Sequence, residues 1–510
     1  MHYRFRFSFN LYKKREPEII MDAPKRLDQG QDLPITLIVK DSHLYPISLE
    51  ALHLFEPRDR GRFWEFPLQR DLQQQIFHQI FEIKAEDLQG RQGEKISLEA
   101  VLHYRIRGKK RYVFTHNLRQ LRHDPLQIYI ASQKIPGHES YLFGDIHVHS
   151  DATDDQVEFG APVECLAATA KAFGLQFQPI TDHSYDLDDE PAHYNLLNPN
   201  LPRWKKLTAE IEKFSSSDML LIRGEEVSAG NHRGENVHFL VINHSEYIPG
   251  SGDSAEKWFR FKPELSISQI VEKADSKALL IAAHPAEPTP FLQKLLLNRG
   301  AWTFQQPDRL NGFQILNGKL DIGFREGRRQ WIKQLLLGKK QFIYGGSDAH
   351  GNFNRYRQIK IPMLTLLEKD EHTLGSGLTA VMAKANPESI LEAMQKGRCY
   401  VTTGFGLWLT LENEAGQIFH LGEDAAGEGL TIRARVLSNA EFGPVERCRL
   451  SMGLIGEAEE QELISKKMEN DEWQAELSFS PKGPGYIRLE AWSATEAALS
   501  NPIWFGKEHC

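Results

Sequence analysis

Two histidines one residue apart, His147 and His149, lie in the run Gly144-Asp145-Ile146-His147-Val148-His149. On an extended strand, positions i and i+2 share a face, so two imidazoles converge on one point. That arrangement suits a metal ion with a preference for nitrogen. Further candidates follow at comparable places: His183 in Thr181-Asp182-His183, Glu226 in Gly224-Glu225-Glu226, His238 inside an apolar run, and His284 after Ala282-Ala283. The last group is Ser347-Asp348-Ala349-His350, where Asp348 and His350 are again i and i+2. Imidazole and carboxylate without thiolate suit Zn, Mn or Fe. So many donors exceed the three or four that one ion takes, which points to two or three divalent ions sharing a bridging carboxylate. A lone histidine is ordinarily a surface or core residue. The eight between His2 and His138 are set aside on that ground.

These residues fall at or just beyond the ends of predicted strands. Between residues 140 and 405, apolar runs of strand length (141–148, 175–180, 219–222, 237–242, 278–282, 312–316, 341–345) alternate with amphipathic helix-length stretches (162–173, 204–214, 266–276, 324–337, 387–396). The first helix would close on Gly174. Seven strands alternating with helices predict a parallel sheet closed into a barrel, with its chemistry at the carboxyl ends of the strands. Residues 1–135 read as a β domain. It includes the alternation Tyr3, Phe5, Phe7, Phe9 and a hairpin turning at Arg107-Gly108-Lys109-Lys110. Residues 406–510 read as a second β-sandwich.

Composition narrows the function classes. The 510 residues suggest about three domains. With 61 Lys+Arg against 69 Asp+Glu, the net charge of −8 lacks the basic footprint of a general nucleic-acid binder. Four dispersed cysteines offer no CxxC pair, so neither a thiolate zinc site nor a disulfide framework is expected. No apolar run of about 18 residues and no secretory leader is read, so the expected location is the cytoplasm, with no membrane partner. A homo-oligomer is compatible with all of this.

In order, HxH, TDH, GEE, His238, His284 and SDAH resemble the PHP (polymerase and histidinol phosphatase) superfamily across residues 140–405. Trp331-Ile332, Gly345-Gly346-Ser347-Asp348-Ala349-His350-Gly351, Gly397-Arg398-Cys399-Tyr400-Val401-Thr402-Thr403-Gly404 and Asn501-Pro502-Ile503-Trp504 are similar to its carbaryl-hydrolase-like branch. The resemblance implies an α/β fold, a distorted seven-stranded (β/α) PHP barrel flanked by N-terminal and C-terminal β-sandwich-like domains. It implies a first metal held by His147, His149, Glu226 and Asp348, and a second reached by the bridging Glu226 and held by His238 and His284. A third would take His183, His350 and a group from Thr153-Asp154-Asp155. Asp154 is the natural match and Asp155 the alternative. Asp182 would orient a ligand, and Glu225 would face away from Glu226.

The implied activity is hydrolysis of a small-molecule ester, phosphate first, by a hydroxide bridging the metals. Asp348 or His350 would assist proton transfer, beside the bridging Glu226. Arg355 and Arg357, just beyond SDAH, could clamp phosphate oxygens, with Lys319 and Arg398 as weaker counter-charges. The same site could attack a carbamate, ester or amide carbonyl, since fold and metals do not set the substrate. A binding protein on a relict barrel would show a degraded ligand set, whereas here each core position is filled.

Overall fold

The computed structural model describes residues 16–506 apart from 58, 119–120, 155–158, 192, 255–261, 305–308, 361–364 and 370. The N-terminal alternation through Phe9, Asp155 and Cys510 lie outside the described residues. The chain divides into two compact units. One holds the described parts of Met1–Lys134, His149–Gly174 and Ala349–Leu374; the other holds those of Ile135–Val148, Leu175–Asp348 and Gly375–Cys510.

The first unit is built on two sheets. Glu18–Asp22, Leu33–Lys40 and Ile76–Ile83 form an antiparallel three-stranded sheet. Ile47–Glu56, Asp59–Leu72, Lys95–Ile106, Lys109–Phe114 and Leu126–Ile130 form most of the other. Side chains alternate between buried and half-buried along Leu126–Ile130, as expected of strands with one face inward. The inward residues Ile35, Leu37, Leu52, Leu54, Leu98 and Ile128 make one core. The predicted hairpin exists, with a tighter turn than expected. Ile106 pairs with Lys109, and Arg107 and Gly108 both take positive φ, 51° and 74°. Two positive φ values match the twist of the flanking strands in a two-residue hairpin. The helix Val163–Phe173 packs on Leu33–Lys40. Gly174 ends it at φ 105°, donating its N–H to the carbonyls of Ala170 and Lys171, a conformation glycine adopts without steric cost.

In the second unit, Leu142–Gly144, Phe177–Ile180 and Leu220–Gly230 run parallel. So do Leu279–Ala282, Gly312–Asn317 and Phe342–Gly346. Between these sets, Asn236–Ile242 pairs antiparallel on both sides. The uniform parallel pattern expected from the sequence breaks here. The link 231–235 is too short for the crossover that parallel neighbours require, so the chain turns back as a hairpin. Leu142–Gly144 also pairs antiparallel with Leu378–Val381, and the sheet continues through Cys399–Thr402 and Ala497–Ser500 into Gly485–Trp492 and Val445–Leu454. A separate antiparallel sheet holds Gly406–Asn413, Leu430–Leu437 and Glu472–Phe479.

Gly312–Asn317 is buried along its whole length, as expected of a strand covered on both faces. The helix Ile322–Leu336 begins at Asp321, whose carboxylate accepts the Phe324 N–H at 3.0 Å. Its buried Trp331 joins Phe239, Phe313 and Leu335 in the core. Asn501 fixes the strand that leads to SDAH. It accepts the Ile343 N–H at 2.8 Å and donates to the Ile343 and Cys399 carbonyls at 3.3 and 3.0 Å. Among the described residues, Cys165, Cys399 and Cys448 are buried and free, and no helix is long and apolar enough to cross a membrane.

Candidate metal centre

The second unit gathers His147, His183, Glu226, His238, His284 and Asp348. Glu226 lies at the middle, 1% exposed. One carboxylate oxygen, Oε2, faces His183 Nδ1 at 3.0 Å and His147 Nε2 at 3.4 Å. The other, Oε1, faces His238 Nδ1 at 2.6 Å and His284 Nε2 at 3.2 Å. His147 Nε2 also lies 3.4 Å from Asp348 Oδ1. Donor atoms of His183, Glu226 and His238 all fall within 4.8 Å of one another. A carboxylate sealed from water is costly unless cations surround it. Here each oxygen meets two imidazole nitrogens. That donor set accepts either protons or divalent ions, and the residues therefore fit the metals that the resemblance implies.

Local structure explains how each side chain arrives. The segment after Phe177–Ile180 stays extended, and His183 bridges in parallel to Glu226, whose N–H donates to the Asp182 carbonyl at 2.9 Å. Glu225, the next residue back, points elsewhere: Trp204 Nε1, Ser184 Oγ and the Ile248 N–H surround its buried carboxylate at 3.1, 3.1 and 3.2 Å. Burial raises the Glu225 carboxyl to about 7. The hairpin places Glu226 opposite Leu240 and His238 opposite Ser228. His284 and Asp348 take positive φ, 29° and 57°. Non-glycine residues at such angles store about 1–3 kcal/mol each and cluster where function holds them.

A set of partners invisible to spacing arguments orients these side chains. Gln314 Oε1 lies 2.8 Å from His147 Nδ1. Asp253 Oδ2 lies 2.9 Å from His238 Nε2, and Arg299 lies 3.3 Å from the same carboxylate oxygen. A carboxylate on the far nitrogen of an imidazole sets its tautomer and raises its basicity. Asp145 accepts N–H bonds from Ser347 at 2.8 Å and Gly375 at 3.0 Å, tying the turn before Asp348 to the HxH segment. Asp145 could have been found in the sequence, since it lies two residues before His147. Asp253, in the loop Gly252-Asp253-Ser254, carries no periodic signal.

Electrostatics follow from this enclosure. Burial works against a charged His147, but the carboxylates of Asp348 and Glu226 outweigh it and hold the imidazole at about 9. Burial likewise opposes a charged Glu226, yet His238, His147 and His183 hold its carboxyl well below the usual range. Asp145, whose burial outweighs its N–H bonds, is pushed up to about 6.

Of the other expected site residues, His149, Asp154, His350, Arg355 and Arg357 belong to the first unit, and Asp182, Lys319 and Arg398 to the second. His149 and His350 stack with ring centroids 3.9 Å apart, and His149 Nδ1 lies 3.2 Å from Thr153 Oγ1. Asp154 is buried. Its Oδ1 lies 2.6 Å from Lys40 Nζ. Arg355 is half-buried. Arg357 is only 2% exposed and pairs with Asp22 Oδ2 at 3.2 Å. The guanidinium expected to clamp phosphate is thus engaged by a carboxylate of its own unit. Asp22 also accepts the N–H groups of Phe353 and Asn354 at 3.2 and 3.1 Å. In this way the strand Glu18–Asp22 holds the segment that follows His350.

No protein-family model matches the chain, and no curated relative matches it. Among solved structures, it is matched to the β-glucuronidase 2 of Bacteroides uniformis covalently bound to cyclophellitol-6-carboxylate aziridine, at 10% identity and a TM-score of 0.21. A second match is a Bacteroides uniformis β-glucuronidase at 10% identity and a TM-score of 0.19. Both alignments cover 96% of this chain, which spans 61% of the length of each matched chain. Likeness at that level carries no argument about fold or activity.

Proposed function

We propose that this chain is a metal-dependent hydrolase of small-molecule esters, phosphate esters first, with two to three divalent ions (Zn, Mn or Fe) as cofactors. The reading carries forward the PHP-like ligand order and its barrel. One observation supports it above all: a buried carboxylate with each oxygen facing its own pair of imidazoles. Ions held there would supply Lewis acidity and lower the pKa of water toward neutrality.

The chain's own residues have separable tasks. Glu226 and the imidazoles of His147, His183, His238 and His284 bind. Gln314 and Asp253 orient His147 and His238. Asp348 is the better-exposed of the two carboxylates, 19% against 1% for Glu226. Its Oδ2 accepts from Asn317 Nδ2 at 3.5 Å; in this reading Asp348 would take the proton from attacking water and return it to the leaving group.

The test is elemental analysis of the purified protein beside Glu226→Gln, followed by a panel of phosphate and carbamate esters. The expected result is at least two ions per chain, falling in the variant together with phosphatase activity. Turnover of carbamates alone would keep the centre and replace the bond cleaved. A wild-type protein that takes up no ion after loading with Mn²⁺ or Zn²⁺ would sink the proposal.

A further inference from the structure

The segment after the short helix Phe291–Leu297 is stapled to the start of the strand Asn236–Ile242. The Asn236 N–H donates to the Asn298 carbonyl at 2.9 Å, the Gly300 N–H donates back to the Asn236 carbonyl at 2.9 Å, and the Asn236 side-chain amide donates to the Leu297 carbonyl at 2.9 Å. Arg299 lies between these bonds, in a parallel bridge with Asn236. Asn236 precedes His238 by two residues in the same strand, so the guanidinium arrives beside His238. Arg299 Nη1 lies 3.3 Å from Asp253 Oδ2, Nη2 lies 3.2 Å from His238 Nδ1, and the side chain is 21% exposed. Burial opposes its charge, but the carboxylates of Asp253, Glu226 and Glu287 outweigh it and raise the guanidinium pKa.

The donor count does not close within the protein. A guanidinium carries five N–H groups and accepts nothing. His238 Nδ1 also faces Glu226 Oε1 at 2.6 Å. One ring nitrogen offers either a proton or a lone pair. Directed at Glu226 as a donor, or at an ion as a ligand, it leaves nothing for Arg299 Nη2 to donate to. Asp253 is divided as well, because the same Oδ2 meets His238 Nε2 at 2.9 Å. Among the described residues no other acceptor meets the guanidinium. An anionic ligand supplies acceptors, whereas a neutral one leaves a largely enclosed cation short of them. The charge balance agrees. Two divalent ions and a guanidinium outweigh the carboxylates of Glu226, Asp253, Asp348 and Glu287 that face these groups, so the loaded site attracts an anion.

We infer that Arg299 is the anion-binding residue of the candidate site, whose guanidinium takes the phosphate group of the substrate and makes anionic phosphate esters the substrate class. The inference deepens the hydrolase reading and rests on it for the bond cleaved. Arg299 stands in Leu297-Asn298-Arg299-Gly300, where no spacing pattern singles it out.

The experiment compares the wild type with Arg299→Lys and Arg299→Met, each loaded with Mn²⁺ and freed of excess ion. Titration calorimetry with inorganic phosphate reads the binding, and elemental analysis reads the ions. Arg299→Met is expected to weaken phosphate about tenfold or more while keeping the ion content of the wild type. Arg299→Lys keeps the charge and loses the planar fork, so its affinity falls between the two. Phosphate affinity within about twofold of wild type in a folded Arg299→Met would overturn the inference. So would a wild type that binds no phosphate at millimolar concentration. A loss of phosphate binding matched by an equal loss of ions would overturn it too, since Arg299 would then only hold Asp253 and His238 in place. If Arg299→Met fails to fold, Arg299→Lys decides, with unchanged affinity overturning the inference and weakened affinity at full ion content supporting it. A wild type that takes up no ion defeats the metal reading instead. Phosphate binding by that ion-free protein, lost in Arg299→Met, sustains the assignment of Arg299, and its absence overturns it.

Discussion

Asp22→Asn probes how the first unit holds the segment behind His350. The Asp22 carboxylate is 1% exposed. Oδ1 accepts from the N–H groups of Ala23 and Asn354 at 2.9 and 3.1 Å, and Oδ2 from Phe353 N–H and Arg357 at 3.2 and 3.2 Å. Asparagine keeps one acceptor oxygen and turns an NH₂ group toward the other donors. The Arg357 guanidinium, equally buried, loses the charge of Asp22. Removing one partner of a buried ion pair costs about 3–5 kcal/mol. Taking about 3 kcal/mol as acting on the local opening that exposes residues 349–357, amide exchange there should accelerate about a hundredfold. Hydrogen exchange followed by mass spectrometry resolves this, with Leu142–Gly144 and Leu279–Ala282 in the other unit as internal controls. Protection of Phe353 and Asn354 within about threefold of wild type, in a folded variant, would refute the reasoning, since it would mean the four bonds contribute almost nothing net.

Two further outcomes follow from the geometry. His116 is held down to about 2, first by burial and then by the charges of Arg357 and His123. The unfolded imidazole titrates near 6.5, so below that pH the unfolded state binds a proton that the folded state refuses, and stability falls as pH drops. The slope is at most ~1.4 kcal/mol per pH unit, about 2 kcal/mol between pH 6.5 and 5. Denaturation of wild type and His116→Gln across pH 7 to 5 should show a shallower loss in the variant, and parallel curves would contradict it. At Gly346, an added Cβ would lie 2.8 Å from both the Cβ and the backbone nitrogen of His147. Gly346→Ala is therefore expected to shift His147 and reduce bound metal in a folded protein, read by circular dichroism and elemental analysis together, and full metal retention would show that the contact relaxes freely.

Several residues of the candidate site carry a signal in the sequence. The candidate residues announce themselves locally: His147 follows a strand, His183 and His284 follow others, and Asp348 follows Phe342–Gly346. Strand period and apolar runs predicted the core elements within a few residues, because burial on both faces leaves a continuous hydrophobic record. The predicted run 219–222 was the main underestimate. The strand continues to Gly230, and its polar second half, Glu225-Glu226-Val227-Ser228, carries no apolar signature because it lines the site.

What no local pattern could supply is which distant side chain answers each buried charge. Glu226 and the histidines around it are named by sequence, but His238 meets Glu226 because Asn236–Ile242 turns back on Leu220–Gly230 as a hairpin. Asp22 meets Arg357, Lys40 meets Asp154, and Asn501 meets Ile343 across sequence separations of 335, 114 and 158 residues. Such pairings have no periodicity, since hydrogen-bond and ion-pair partners are selected by the packed fold and not by the chain nearby. Residue types and short-range spacing therefore determined the candidate chemistry here. Tertiary structure alone decided that Arg357 and Asp154, both legible as functional groups, are engaged by partners from the N-terminal strands, because burying a charge requires an opposite charge wherever the fold can bring one.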